Sequence, residues 1–517
     1  MIINPFKGLN PYSEQDQDNF LGREEEVEYL LQIIQKNKLI TLTGMSGSGK
    51  TSLVLAGLIP RLRNGFLGQA GKEWSICYCR PGIAPIENFV QSLTHNGALR
   101  MDKKSNTEDF EQYLNIIETK GNLGLIDIYK NSEIFNKKNL LVVVDQMEDL
   151  FNLDPYFEAN KSNQDELLIE MLSRTVKTTE TAIYVVLSIQ SEYVSKLIDY
   201  SKLQEIRSKS QYSLQNISTK KIALVIKQQF NKNKIYFNDD AINPIIEKVS
   251  NDNSLLINFQ FLCFRLFEKF SDQNKNLTQE EIDEVGGLND CINLAYEEFF
   301  QSKNEEEKIA FEKLIRSFIL FKEEGMETRC QQFKNIVTIS GIETKQLVNL
   351  LFELRGVFGS SFDFIEPLIS GREIKIKRDI KSTHYVSMKY QKARSWKHEK
   401  VWLEEEEDNY DKYKVFAAMT KKFLSGDGSL LISPELDIAV DWRKKTTHSL
   451  EWSKKYNEDY LKIIDYIDQS DEANKKKRKN EEIKLKRKRK ITRQVISAMS
   501  LLVLVAIGMF INATISR

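Results

Sequence analysis

Nine prolines in 517 residues are too few for long Pro-rich linkers. Cysteine is equally scarce. Cys77, Cys79, Cys263, Cys291 and Cys330 are unpatterned, which excludes a disulfide scaffold and fits a reducing cytosol. No apolar run follows Met1, because Pro5, Lys7 and Asn10 interrupt it, so no signal peptide is expected. Net charge is absent too: 74 Lys and Arg balance 74 Asp and Glu. That balance hides a segregation. Lys475 to Lys490 holds eleven Lys/Arg against two Glu, a local +9, and leaves the rest of the chain at −9. A mildly acidic body with one basic stripe is not the footprint of a general nucleic-acid binder. No internal repeat of about 20–50 residues is visible.

With 41% hydrophobic and 29% charged residues, the chain has the composition of folded protein rather than disorder. Its length suits about three to four domains. The C-terminal end reads most plainly. No charge stands between Arg493 and Arg517, and Leu501 to Ile511 is apolar apart from Gly508. As a helix, the 23 charge-free residues 494–516 are about 34 Å long, enough for a ~30 Å hydrocarbon core. A buried soluble helix is the alternative, but such helices seldom lack a polar face. The basic stripe abuts the N-terminal end of the span. That favours a juxtamembrane contact with anionic lipid over a nucleic-acid patch, and it predicts a single-pass membrane protein with its body in the cytoplasm. Gly508, Ser497, Ala498 and Ser500 would allow close contact between such helices, without a strict G-x3-G motif.

Near the N-terminus, Glu24 to Gln35 places Val27, Leu30, Leu31 and Ile34 on one helical face. Four short apolar runs follow, at Leu39 to Thr43, Ser75 to Cys79, Leu140 to Val144 and Ile183 to Ser188. Charged, helix-like stretches separate them. Buried strands alternating with helices predict an α/β fold with a parallel sheet. From Thr219 the texture is helical, with apolar spacing in Ile222 to Phe230 and Leu255 to Phe270. A β-like stretch, Phe362 to Val386, interrupts it, and helical texture resumes at Ser395.

Gly44-Met45-Ser46-Gly47-Ser48-Gly49-Lys50-Thr51 fits the P-loop (Walker A) pattern G-x4-G-K-[ST]. It stands between a strand-like run and a helix-like stretch, Thr51 to Leu62, which is the required order. Gly44, Gly47 and Gly49 let backbone N–H groups turn in on phosphate oxygens, and the helix N-terminus adds partial positive charge. Lys50 would reach the β- and γ-phosphates of ATP, Thr51 would hold Mg²⁺, and Ser52 continues the cradle. A P-loop also needs an acid on another strand. Asp145, at the end of Leu140 to Val144, is the second metal-side candidate. Glu148 is the nearest further carboxylate. It would polarise the attacking water, or else complement a helix start.

These residues resemble the STAND class of P-loop NTPases, the signal-transducing ATPases with numerous domains, and among them the bacterial novel STAND branch. Asn4 to Leu9 with Phe20-Leu21-Gly22-Arg23-Glu24 resembles that branch's opening box, which implies that Gly22 and Arg23 lie near the nucleotide. Ala56 to Leu62, Arg80-Pro81-Gly82, Asp145 to Phe151, Gly286-Gly287-Leu288 and Trp402 to Trp442 resemble further segments of the family. The resemblance implies an NTPase domain over 1–217, a helical lid over 218–300 and a winged-helix-like module over 301–400. A helical region over 401–474, the basic stripe over 475–490 and a transmembrane helix over 491–517 would follow. It also implies a signalling switch, closed with ADP and a homo-oligomer with ATP, and its relatives include anti-phage defence systems.

Three departures stand out. Relatives place a terminal-phosphate-sensing Arg after the fourth strand, where this chain has Gln190, which cannot neutralise charge. The usual lid Pro is absent from Leu255-Leu256-Ile257-Asn258. The usual His of the winged-helix module is missing from Tyr385 to Lys389. The expectation is therefore a slow P-loop ATPase that binds ATP with Mg²⁺, is tethered to a membrane and responds to an unknown trigger or protein partner. Two alternatives are a catalytically weak ATP-binding scaffold and a nucleic-acid-handling ATPase. The second would use Lys389 to Lys400, with Trp396, as its contact region. Cys77 and Cys79 share one side of a strand and are expected to be core thiols. The scattered His95, His384, His398 and His448 suggest no metal site, and Glu404 to Asp408 reads as a solvated helix face.

Overall fold

A computed structural model of the chain describes residues 3–82, 84–95, 97–102, 108–151, 163–199, 210–271, 273, 275–322, 325–328, 331–359, 362–365, 385–388, 396–444, 450–453, 456 and 459–515. The chain divides into two compact units. One is residues 1–319 with 327–400, the other residues 320–326 with 401–517.

The first unit is built on β1 (Leu39–Gly44), β2 (Trp74–Cys79), β3 (Asn139–Val144), β4 (Ile183–Gln190) and β5 (Gln211–Ser213). Their spatial order is β2-β3-β4-β1-β5, and every pairing is parallel. β1 to β4 are the four apolar runs of the sequence. β5 is short and largely exposed, so no hydrophobic run announces it. Alternation along the strands feeds two cores. Cys77, Cys79, Val142, Val144, Val185 and Leu187 face one side, and Ile76, Tyr78, Leu141, Val143 and Val186 the other. The first core is closed by helices that include Pro85–His95 and Gln164–Lys177, and the second by α1 (Glu24–Asn37) and the helix behind β1.

That helix runs as Lys50–Ser52, Leu53–Leu58 and Ile59–Arg63, and its middle segment is a π turn. The widened turn leads into Pro60, which lacks an N–H and would clash with the preceding turn of a regular α-helix. Gly57 has a packing reason. A Cβ there would lie 2.6 Å from Val27 Cγ2 and 3.2 Å from Phe20 Cε1, so only glycine lets α1 come this close.

Five further helices follow: Thr219–Asn231, Asp239–Asn251, Leu256–Phe270, Gln279–Glu284 and Gly287–Gln301. Glu305–Phe318, Phe333–Ser340 and Thr344–Phe358 come next. Tyr385–Met388 pairs antiparallel with both Phe362–Ile365 and Gln331–Gln332. The β-like stretch of the sequence is thus a strand at either end, with residues 366–384 outside the described ones. Trp396 is 4% exposed, stacks on Tyr296 and donates its indole N–H to Glu297 Oε2 at 2.8 Å. It is core, not a side chain offered to nucleic acid; Lys397 to Lys400 open the helix Lys397–Leu424, and 389–395 lie outside the described residues.

Burial raises the Cys79 thiol to about 12 and Cys77 well above its usual value, as inert core thiols require. Among the described residues no group of three His, Cys, Asp or Glu could hold a metal. Cys330, His384 and His448 lie outside the described residues.

The second unit packs Tyr413, Phe416, Trp442, Trp452, Tyr466 and Ile467 into its core. The acidic run on Lys397–Leu424 is not wholly solvated. Glu406 is 1% exposed and accepts the Trp452 indole N–H at 2.5 Å, because its helix position faces the core while Glu404, Glu405, Glu407 and Asp408 face out. The boundaries expected at 475 and 491 fall inside one 56-residue helix, Tyr460–Ile515. Nothing in that sequence breaks the helical period, and Lys475–Asp471 and Lys486–Glu482 pairs one turn apart support it. The helix holds a stretch long and apolar enough to cross a membrane, none of it buried.

Candidate functional site

β4 lies between β1 and β3, so the loops leaving these three strands share one edge of the sheet. In open α/β sheets this carboxyl-terminal edge is where ligands bind. The loop after β1 turns sharply at Gly47 (φ +74°) and Gly49 (φ +93°), values that L side chains rarely adopt. Gly44 is needed for space. A Cβ there would meet Ser48 Oγ at 2.8 Å and Leu214 Cβ at 3.3 Å. The Lys50 ammonium turns in under the loop and donates to the carbonyls of Gly44 at 2.8 Å and Met45 at 3.0 Å. Burial lowers its pKa, and the charges of Glu148, Asp145 and Glu192 partly oppose this.

The two candidate metal ligands meet. Thr51 Oγ1 donates to Asp145 Oδ2 at 2.8 Å, joining the start of the helix to the end of β3. The Tyr78 hydroxyl, from β2, donates to the same oxygen at 2.6 Å. Burial opposes ionisation of Asp145. The Arg80 charge and hydrogen bonds from Tyr78, Ser188 and Thr51 outweigh it and hold the carboxyl below its usual range. Tyr78, Arg80 and Ser188 were missed as site residues. The in-register pairing of Cys79 with Val144 would have indicated Arg80, since it puts the next residues, Arg80 and Asp145, side by side. The acid–hydroxyl pair suits a hard divalent cation, and the positive-φ glycines suit a phosphate chain.

Glu148 is 5% exposed, on the short turn Met147–Leu150. The backbone N–H of Gln190 donates to its Oε2 at 3.1 Å and the Gln190 Nε2 to its Oε1 at 2.9 Å. Burial pushes the Glu148 carboxyl above its ordinary value and Asp145 adds to this, while Lys50 and the Gln190 N–H oppose it. Gln146, next to Asp145, takes up a left-handed conformation (φ 59°), uncommon for this residue type.

The remaining candidates brace the site. Ser52 Oγ accepts the Tyr12 N–H at 3.1 Å and so ties the opening segment to the helix. Gly22 (φ +85°) sits where a Cβ would be 3.1 Å from Val225. Arg23 is 5% exposed and gives its Nη1 to Glu26 at 2.9 Å and to the Gln215 carbonyl at 2.9 Å. Ile257, in the stretch from which the expected Pro is absent, lies against the loop, 3.6 Å from where a Gly47 Cβ would be.

A family model, Novel STAND NTPase 1 (nSTAND1), matches residues 5–426. No curated protein matches the sequence. Drosophila ORC bound to DNA is similar at 12% identity and TM-score 0.37, covering 72% of this chain and 85% of that one. Aeropyrum pernix ORC1 in complex with DNA is similar at 11% identity and TM-score 0.36, covering 75% and 92%. A Walker-type ATPase of Pyrococcus abyssi is similar at 13% identity and TM-score 0.35, covering 69% and 95%.

Proposed function

The chain belongs to the novel STAND NTPase 1 family, and from that premise we propose that it is a membrane-tethered ATP switch whose nucleotide state governs self-association. The observation that carries this is the meeting of Thr51 with Asp145 at 2.8 Å beside the glycine-turned loop. Lys50 and the loop N–H groups bind the phosphates, and Gly22 and Arg23 flank the nucleotide. Thr51 and Asp145 would hold Mg²⁺, which would supply charge neutralisation for the phosphate oxygens. Glu148 is the group placed to take a proton from water, and its raised pKa brings it nearer the working range of a general base. Domain roles follow the family: NTPase over 1–217, lid over 218–300, winged-helix-like module over 301–400. The apolar end of the Tyr460–Ile515 helix enters the membrane, and the body stays on the side of the basic stripe. Signalling, with anti-phage defence as one setting, is the role this design serves.

Hydrolysis is slow. No cation occupies the Gln190 position, and turnover is expected below the ~1 s⁻¹ lower end of ordinary enzymes. A phosphate-release assay on the full chain checks this. Rapid turnover would show that another group supplies the charge. Turnover at the uncatalysed level would favour the ATP-binding scaffold.

A further inference from the structure

By position, Gln190 stands where the family pattern places an arginine that reads the terminal phosphate. Its contacts describe a different task. It pairs in register with Gly44 at the end of β1, so its backbone is fixed by the sheet. From there its N–H and its side-chain amide hold one oxygen each of the Glu148 carboxylate, at 3.1 Å and 2.9 Å. Glu148 belongs to a short turn and has three side-chain torsions to fix. Two donors from one rigid strand end fix them. A carboxylate that activates water must be held in place, since a displacement of about 1 Å costs on the order of 100-fold in rate.

We infer that Gln190 is a positioning residue that orients the Glu148 carboxylate, and is not a neutral substitute for a phosphate-sensing arginine. This rests on the hydrolytic role proposed for Glu148. The two assignments disagree about one substitution. If Gln190 were a weak sensor, Gln190→Arg would restore the missing charge and raise turnover. As the holder of Glu148, it would present a guanidinium to that carboxylate. A bidentate ion pair would form and the base would weaken. The other charged groups facing Glu148 are Lys50 and Asp145, with Glu192 beside Lys50, and none of these substitutions removes them.

The test is steady-state kinetics and calorimetry on the full chain. Gln190→Leu removes the side-chain donor and keeps the backbone N–H. It is expected to lower kcat by about 10–100-fold, with KM within about twofold. The acid limb of its pH–rate profile should move to higher pH, because a donor that favours the charged carboxylate is gone. Gln190→Arg and the isosteric Gln190→Glu should also lower kcat. In a Glu148→Gln background Gln190→Leu should have no further effect. Calorimetric affinities for ATP and ADP should stay within about twofold of wild type. Higher turnover in Gln190→Arg, a changed preference between ATP and ADP in Gln190→Leu, or a full extra loss in the double variant would each overturn the assignment. A wild-type chain that binds ATP and releases no phosphate would overturn it while leaving the binding switch standing. A chain that binds no ATP would overturn both.

Discussion

Lys50→Ala should abolish tight ATP binding. Lys50 is 8% exposed, yet among the described residues its ammonium donates only to the backbone carbonyls of Gly44 and Met45. It lies beside a loop whose backbone is bent by Gly47 and Gly49, and the charges of Glu148, Asp145 and Glu192 act on it. Phosphate oxygens satisfy a buried ammonium better than carbonyls do, because the hydrogen bonds become charge-assisted on both sides. Such bonds contribute about 1.5–3 kcal/mol each. Losing two of them weakens binding by at least about 100-fold. Isothermal titration calorimetry reads the change, and thermal unfolding of the same sample shows that the fold has survived. Affinity equal to wild type would remove Lys50 from the site.

The second large effect concerns the terminal helix. The full chain should fractionate with membranes, and a version ending at Lys490 should be released from them. The helix carries Leu501, Leu502 and Leu504 at 64%, 68% and 65% exposure, with no described residue covering them. A continuous apolar surface of this kind marks a membrane or protein contact. Its polarity is graded along the axis, with Lys484 to Lys490 and Arg493 before the span and no charge in residues 494–516. In the proposed membrane-tethered state that gradient would keep the body on the side of the basic stripe. The body should be unaffected by the truncation, because the second core closes on Ile463, Tyr466 and Ile467, well before the cut. If both versions stay soluble, the membrane part of the account fails. If both stay on the membrane, the anchor lies elsewhere.

Much of the site was legible in the sequence because its determinants are local. Gly47, Gly49, Lys50 and Thr51 stand together within one short stretch of chain, and β1 to β4 are apolar runs that only a sheet covered on both faces would bury. Asp145 could be found because a carboxylate directly after five apolar residues belongs at a strand end. What stayed hidden depends on strand order. Glu148 and Gln190 lie 42 residues apart and meet only because β3 and β4 are neighbours. Tyr78 reaches Asp145 for the same reason, from β2 on the other side of β3. Strand β5 was invisible because its three residues are held by main-chain pairing to β1, not by an apolar face. The continuity of the helix Tyr460–Ile515 was not legible either. A change of composition from basic to apolar is not a change of backbone, and helical continuity does not register in hydropathy.

The central claim is that nucleotide governs self-association, and the mass of the purified full chain in detergent tests it most directly. With ATP and Mg²⁺, wild-type protein should shift to a mass of several copies. With ADP, or with Lys50→Ala in ATP, it should stay at the lower mass. A wild-type mass that is the same with ATP, with ADP and with no nucleotide would contradict the account.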